Sequence, residues 1–304
     1  MDTVLTLDHV SKIYHNGRGA RNITFSVERG QVVGLLGPNG SGKTTIMKSI
    51  TGLSQPTEGT ITVFGAPVTD REKALMQVGA LIEQPALYEN LTAQDHLRMA
   101  ARYYPGVDQA RMDKVLEIVG LTPYRKERCG KFSLGMKQRL GIALALAGNP
   151  DLVILDEPIN GLDPQGIAEI RETLLRLNKE KNITFIISSH ILEELSKIAS
   201  NYGMIHDGVL LQEMTREELL SKCSERIELK TNDTRKACTV LEGMGIEKYK
   251  VVDADTIQIF ERLNDGGDIT MALAGNGVKT MGITVKNEAL EDYYLNLTGG
   301  TANV

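Results

Sequence analysis

Cysteine is scarce in this chain. Its three cysteines, Cys129, Cys223 and Cys238, are odd in number, far apart and without metal-type spacing, so neither a disulfide framework nor a zinc site organises the fold, and a reducing compartment is expected. Long apolar runs are missing too. Stretches such as "GIALALAG" fall well short of the roughly 18 to 20 residues that cross a bilayer, so any membrane role has to come through a partner. There is no excess of basic charge: the formal net charge is -5, with lysine and arginine scattered along the chain, which argues against nucleic acid as a partner. The opening "MDTVLTLDHV" carries an acid and lacks the basic and apolar regions of a signal peptide. A cytoplasmic protein is expected, with neither internal repeat nor low-complexity tract.

What is present is an ordinary globular balance, 41% hydrophobic and 24% charged over 304 residues, enough for one large domain and a smaller one. The segments "VLTLDHV", "NITFSV" and "GTITVF" alternate apolar and polar residues, as half-buried antiparallel strands do. By contrast "VVGLLG", "LVILD" and "TFIISS" are continuously apolar, the pattern of parallel strands covered on both faces by helices. Helical patterns fall between them at Thr44 to Thr51, Thr92 to Tyr104, Arg111 to Val119, Gly135 to Ala147 and Pro164 to Lys181. The stretch "ALYENLTAQDHLRMAARYY" reads as mainly helix with an apolar face.

The fold class is therefore α/β. From about Glu225 the pattern becomes strand, helix, strand, strand, helix, strand, the order of a split βαβ, ferredoxin-like unit. A closing amphipathic helix, "NEALEDYYLNLTG", sets Leu290, Tyr293, Tyr294 and Leu297 on one face. The expected domains are 1–215, with a helical subdomain at about 85–150, a linker helix at 216–224, and an accessory α+β domain at 225–304.

The chemistry begins at "GLLGPNGSGKTT". Gly37, four residues, then Gly42, Lys43 and Thr44 give the complete phosphate-loop spacing. An apolar strand precedes the loop and a helix follows. The main-chain N–H groups of Gly37, Pro38, Asn39, Gly40, Ser41, Gly42 and Thr45, proline excepted, and the positive helix end can then converge on one anion, a triphosphate. Lys43 adds a compact positive charge for the β and γ phosphates, and the Thr44 hydroxyl is a magnesium ligand. Far downstream, "LVILDEP" delivers Asp156 to a strand end, where its carboxylate can hold Mg2+ through water. Glu157 follows, pointing elsewhere, and can face an attacking water as general base.

With these two motifs in place, the first 210 or so residues resemble the ATP-binding subunits of ABC transporters. "FSLGMKQRLGIALAL" is similar to the family signature, retaining Ser133 and Gly135, and continues into the Gln138–Arg139 pair. "NGLD" resembles the D-loop and gives Asp163, "SSH" resembles the switch motif and gives His190, and Tyr14 stands where the family stacks an aromatic on adenine. What the resemblance implies is a phosphate-loop ABC ATPase domain that binds ATP and Mg2+. It also implies a head-to-tail dimer with a second copy, in which the Ser133 site of one subunit closes on the ATP of the other, and an integral membrane permease that holds the dimer at the inner face of the cell membrane. The variant signature and the added C-terminal domain resemble exporters of bacitracin and lantibiotic type, whose cargo is an antimicrobial peptide or another amphiphile.

Two departures from the family pattern are visible. Leu134 replaces the first signature glycine and Met136 the signature glutamine, which removes backbone freedom at the cap. For the Q-loop, spacing from Gly79 selects Glu83 whereas residue type selects Gln84. Leu87, Tyr88 and Leu91 are candidates to receive a short helix of the membrane partner. Other classes are a soluble ABC-type ATPase acting on nucleic acid or ribosomes, for which the sequence has neither second cassette, coiled coil nor basic arm, and a regulatory ATP sensor, against which Glu157 and His190 argue.

Overall fold

In the computed structural model, residues 2–222, 225–286, 293–294 and 297–298 are described. Cys223 and most of the expected closing helix, Leu290 included, lie outside them. The chain divides into two compact units, Met1–Arg216 and Glu217–Val304.

The first unit opens with β1 (Thr3–Ile13), β2 (Gly19–Glu28), β3 (Val32–Leu36) and α1 (Lys43–Ile50). It continues through β4 (Glu58–Val63), β5 (Ala66–Pro67), α2 (Arg71–Leu75), β6 (Val78–Leu81), α3 (Ala93–Ala101), α4 (Gln109–Ile118) and α5 (Leu134–Leu146). Then come β7 (Leu152–Leu155), α6 (Pro164–Lys181), β8 (Thr184–Ser189), α7 (Leu192–Ser196), β9 (Asn201–His206) and β10 (Val209–Thr215).

The alternating segments form one antiparallel layer, in the order β2-β1-β4-β5. The continuously apolar ones lie side by side inside a second sheet, β10-β9-β3-β8-β7-β6, parallel except for β10. Every residue of β3, β7 and β8 is buried, as expected for strands covered on both faces. Helix α1 is wedged between the layers: Ile46, Met47 and Ile50 share one core with Leu5 and Leu7 of the first sheet and Leu35, Ile154 and Ile186 of the second. Each such side chain contributes about 1.5–3 kcal/mol on burial, so the helix carrying Lys43 is rigidly seated.

Sheet register aligns the functional strand ends. Leu36 pairs with Ser189 and Leu155 with Ile187, so the residues that follow β3, β7 and β8 emerge at one edge, where open α/β sheets bind ligands. The sequence reading missed β6, β9 and β10, and it overextended one helix. Of "ALYENLTAQDHLRMAARYY" only Ala93–Ala101 is helical, because Thr92 caps α3 by accepting from the Asp95 N–H while the Asp95 carboxylate accepts from the Thr92 N–H.

The second unit begins within α8 (Arg216–Lys222). It continues through β11 (Arg226–Thr231), α9 (Thr234–Gly243), β12 (Tyr249–Val251), β13 (Thr256–Ile259), α10 (Gly266–Gly275) and β14 (Thr280–Lys286). The strand order is β12-β13-β11-β14, with every neighbour antiparallel. Ile227, Leu229, Ile257 and Ile259 of the sheet pack with Ala237, Leu241, Ile269 and Leu273 of the helices.

Candidate functional site

The phosphate loop folds as its glycines require. A side chain at Gly37 would start 2.3 Å from the carbonyl oxygen of Ile205, so only glycine lets the chain leave β3 there. Gly42 caps α1 with φ 108, a left-handed angle that L side chains avoid. Lys43 is buried, and its Nζ donates to the carbonyl oxygens of Gly37 at 2.6 Å and Pro38 at 3.1 Å. The ammonium is thereby held inside the curve of the loop, and the free main-chain N–H groups at the start of α1 face the same space.

Around this loop the three strand ends build a chain of contacts. The Thr44 hydroxyl donates to Asp156 Oδ2 at 2.8 Å, and the Ser188 hydroxyl donates to Asp156 Oδ1 at 2.6 Å. Ser188 Oγ also accepts the main-chain N–H of Glu157 at 2.8 Å. Glu157 has φ 48, a strained left-handed angle that this bond helps to hold. Its Oε2 lies 2.9 Å from His190 Nδ1, and its buried Oε1, which has no hydrogen bond, lies 3.4 Å from Lys43 Nζ. Ser41 Oγ is likewise buried without a partner. Unmatched polar atoms of this kind mark a site built for a further group.

A cleft of about 240 Å³ is lined by Tyr14, Arg18, Asn39, Gly40, Gly42, Lys43, Thr44, Thr45 and Glu157. Tyr14 is 39% exposed, closes a turn by donating its N–H to the Arg18 carbonyl, and has Lys12 Nζ 5.6 Å from its ring centroid. A neighbouring cleft is lined by Thr44, Glu83, Gln84, Leu134, Gln138, Asp156, Glu157 and Asn160. Both Q-loop candidates therefore face Thr44 and Asp156. Glu83 hydrogen-bonds Lys48 Nζ at 2.6 Å, a contact that raises the Lys48 ammonium above the usual lysine range. A larger cleft of about 500 Å³, lined by Arg139, Ile142, Glu169 and Leu174 among others, lies apart from these residues. Its size is not matched by chemistry, since Arg139 is already paired with Glu169, and the convergence of anion donors decides for the smaller cleft.

The Thr44 and Asp156 oxygens suit a hard cation. Among the described residues no cluster of three or more His, Cys, Asp or Glu could hold a metal, so a cation here would complete its shell with phosphate and water, as Mg2+ does.

Ser133, Gly135 and Asp163 do not line the phosphate-loop cleft. Ser133 caps α5, accepting the Met136 N–H at 3.2 Å, and Asp163 caps α6, accepting the Gly166 N–H at 3.1 Å. The two caps adjoin: a side chain at Gly161 would start 2.9 Å from Leu134 Cδ2, and one at Gly135 would start 3.5 Å from Leu162 Cδ2. Ser188 was missed by sequence reading, and its signal was a polar residue ending an apolar strand.

A family model described as ABC transporter matches residues 20–160. Over 302 residues the chain is 39% identical to the bacitracin transport ATP-binding protein BcrA of Bacillus licheniformis, covering 99% of each. The chain belongs to the ATP-binding subunits of ABC transporters. Another relative in this family, the lantibiotic transport ATP-binding protein SrtF of Streptococcus pyogenes, is 41% identical over 210 residues, 69% of this chain and 90% of that one. Among solved structures, an ATP-binding subunit of an ABC transporter aligns with TM-score 0.65 and 33% identity over 72% of this chain and 93% of that chain. The dimeric, post-hydrolysis ATP-binding cassette MJ0796, bound to ADP and Pi, aligns with TM-score 0.64 and 25% identity over 70% of this chain and 98% of that chain. Lys43, Thr44, Asp156, Glu157 and His190 cluster at one edge of the sheet, and the caps at Ser133 and Asp163 lie outside that cluster.

Proposed function

We propose that this subunit hydrolyses ATP to drive a separate membrane permease that exports an antimicrobial peptide or another amphiphile. The observation that carries the reading is the joined set Lys43, Thr44, Asp156, Ser188, Glu157 and His190 at one sheet edge. The class of cargo comes from BcrA, a bacitracin transport protein by name, which matches almost the whole chain. Lys43 and the loop N–H groups bind the phosphates, and Tyr14 supports the adenine. Thr44 and Asp156, with Glu83 or Gln84, would hold Mg2+, which supplies charge neutralisation on the transferred phosphoryl group. Glu157 takes the proton of the attacking water, and His190, bonded to its other oxygen, orients the carboxylate.

Ser133, Gly135 and Asp163 act in trans on a second copy, which accounts for cap groups that lie away from their own subunit's cleft. Among the described residues no helix is long and apolar enough to cross a membrane, in keeping with attachment through the permease, received at Leu87, Tyr88 and Leu91. The domain reading assigns 1–215 to the ATPase, with the helical subdomain at about 85–150, and 216–224 to a linker. Residues 225–304 form an accessory unit, and the antiparallel order β12-β13-β11-β14 supports its ferredoxin-like description.

The test is Glu157→Gln. It removes the base while keeping shape, so turnover should fall by about 100-fold or more and ultracentrifugation with Mg-ATP should show a dimer. An undiminished rate would remove Glu157 from its role, and monomers in the presence of permease would remove the trans sandwich.

A further inference from the structure

The segment ahead of α3, with Leu87 and Leu91 half-buried and Tyr88 59% exposed, is held by four main-chain anchors. The Tyr88 carbonyl accepts from the Leu91 N–H at 3.1 Å, the Glu89 carbonyl from the Gly130 N–H at 2.9 Å, and the Leu91 carbonyl from the Cys129 N–H at 2.9 Å. These three run from backbone to backbone. The fourth does not: the Tyr88 N–H donates to Nε2 of His96, at 2.9 Å. His96 is 4% exposed, and its Nδ1 lies 2.8 Å from the Thr92 carbonyl.

Two such partners specify one state of the ring. A carbonyl oxygen can only accept, so Nδ1 carries the proton, and an N–H can only donate, so Nε2 must be bare. The imidazolium has donors at both positions and would set its Nε2–H against the Tyr88 N–H.

The ring's other neighbours do not offset this. The Tyr88 ring stacks on it at 6.1 Å between centroids. The buried Cys129 thiol, whose ionisation is pushed up by burial, is 3.6 Å from Nδ1 and feels the positive charge of Lys137 from α5. The Asp95 carboxylate, on the same helix, is occupied by Thr92 and Arg98. No acid is hydrogen-bonded to the ring among the described residues.

We propose that His96, as the neutral Nδ1–H imidazole, is the positioning residue of the permease-receiving segment, and that gaining a proton releases Tyr88 and weakens permease docking. The inference rests on the reading that Leu87, Tyr88 and Leu91 form that receiving surface.

Nitrogen NMR of the full chain with labelled histidine reads the first half directly. With His96→Gln used to assign the signal among five histidines, His96 should show a bare Nε2 and a protonated Nδ1 at pH 7.5; the Nε2–H tautomer would overturn the proposal. For the second half, the same spectra follow the His96 ring to lower pH, and affinity for the permease in nanodiscs is measured at pH 7.5 and at the pH where the ring has gained its proton. A ring that stays neutral wherever the subunit is folded overturns the switch. The native subunit should lose about tenfold, the equivalent of one hydrogen bond. His96→Gln, whose side-chain oxygen can accept the same N–H at either pH, should hold within about twofold. An equal loss in both proteins overturns the coupling. Leu87→Ala with Leu91→Ala leaving affinity unchanged at pH 7.5 overturns the receiving surface instead, while the NMR result stands on its own.

Discussion

Asp156 meets its partners through single atoms, and each does a different job. One carboxylate oxygen takes the Thr44 hydroxyl and the other the Ser188 hydroxyl, so the side chain cannot rotate without losing both. Ser188 in turn accepts the Glu157 N–H and so ties Asp156 and Glu157 together. Replacing Ser188 by alanine leaves a buried carboxylate oxygen and a buried N–H unmatched, at a cost of about 1–3 kcal/mol, readable by urea unfolding. It also frees the left-handed backbone of Glu157, and turnover should fall by at least about tenfold from the misplaced base. A stability and rate unchanged from the native protein would show that Ser188 is a bystander. Much of this centre was legible in sequence because Gly37, Gly42, Lys43 and Thr44 lie in one short loop. Ser188 was not, because its partners lie 31 and 32 positions away and only strand pairing brings them together.

At the level of elements, the legible parts were those whose burial is uniform. β3, β7 and β8 announce themselves by continuous apolar sequence, and α6 begins at Pro164 after its Asp163 cap and ends at Lys181, where Asn182 turns left-handed. β6 was missed because Gly79 sits inside it. A side chain there would start 1.9 Å from the Ala145 carbonyl, so the residue that looks like a strand breaker is required by the approach of α5. The expected α3 began at its Thr92 cap and ran three residues too far, to Tyr104 rather than Ala101. That cap gives a prediction at this scale. Thr92→Ala removes the hydroxyl that accepts the Asp95 N–H and donates to the Asp95 carboxylate, and should cost about 1 kcal/mol near neutral pH. The hydroxyl and N–H of Thr92 hold the Asp95 carboxyl below its ordinary value. A lowered folded value stabilises above the unfolded one and is lost as pH falls through the folded one. The gap between native and variant unfolding midpoints should therefore narrow below about pH 4, and a gap constant with pH would show that the ionised cap contributes nothing.

On the scale of the whole chain, the two units have separate cores. One joins the antiparallel layer, α1 and the parallel sheet, and the other joins β11 and β13 to α9 and α10. The phosphate loop, Asp156, Glu157 and His190 all belong to the first unit, so a nucleotide binds and stabilises that unit directly. Binding at a hundredfold excess over Kd adds about 2.7 kcal/mol to the state that binds. Scanning calorimetry of the full chain should thus show two transitions, and Mg-ATP added to the Glu157→Gln protein should raise one by several degrees and leave the other in place. The transition that stays belongs to the C-terminal unit, which Leu241→Ala, opening a cavity in its core, should identify by lowering it alone. A single transition that moves as a whole with nucleotide would mean that the accessory unit unfolds only with the ATPase. Its buried cluster, ten residues among those described, would then be too small to hold it folded alone.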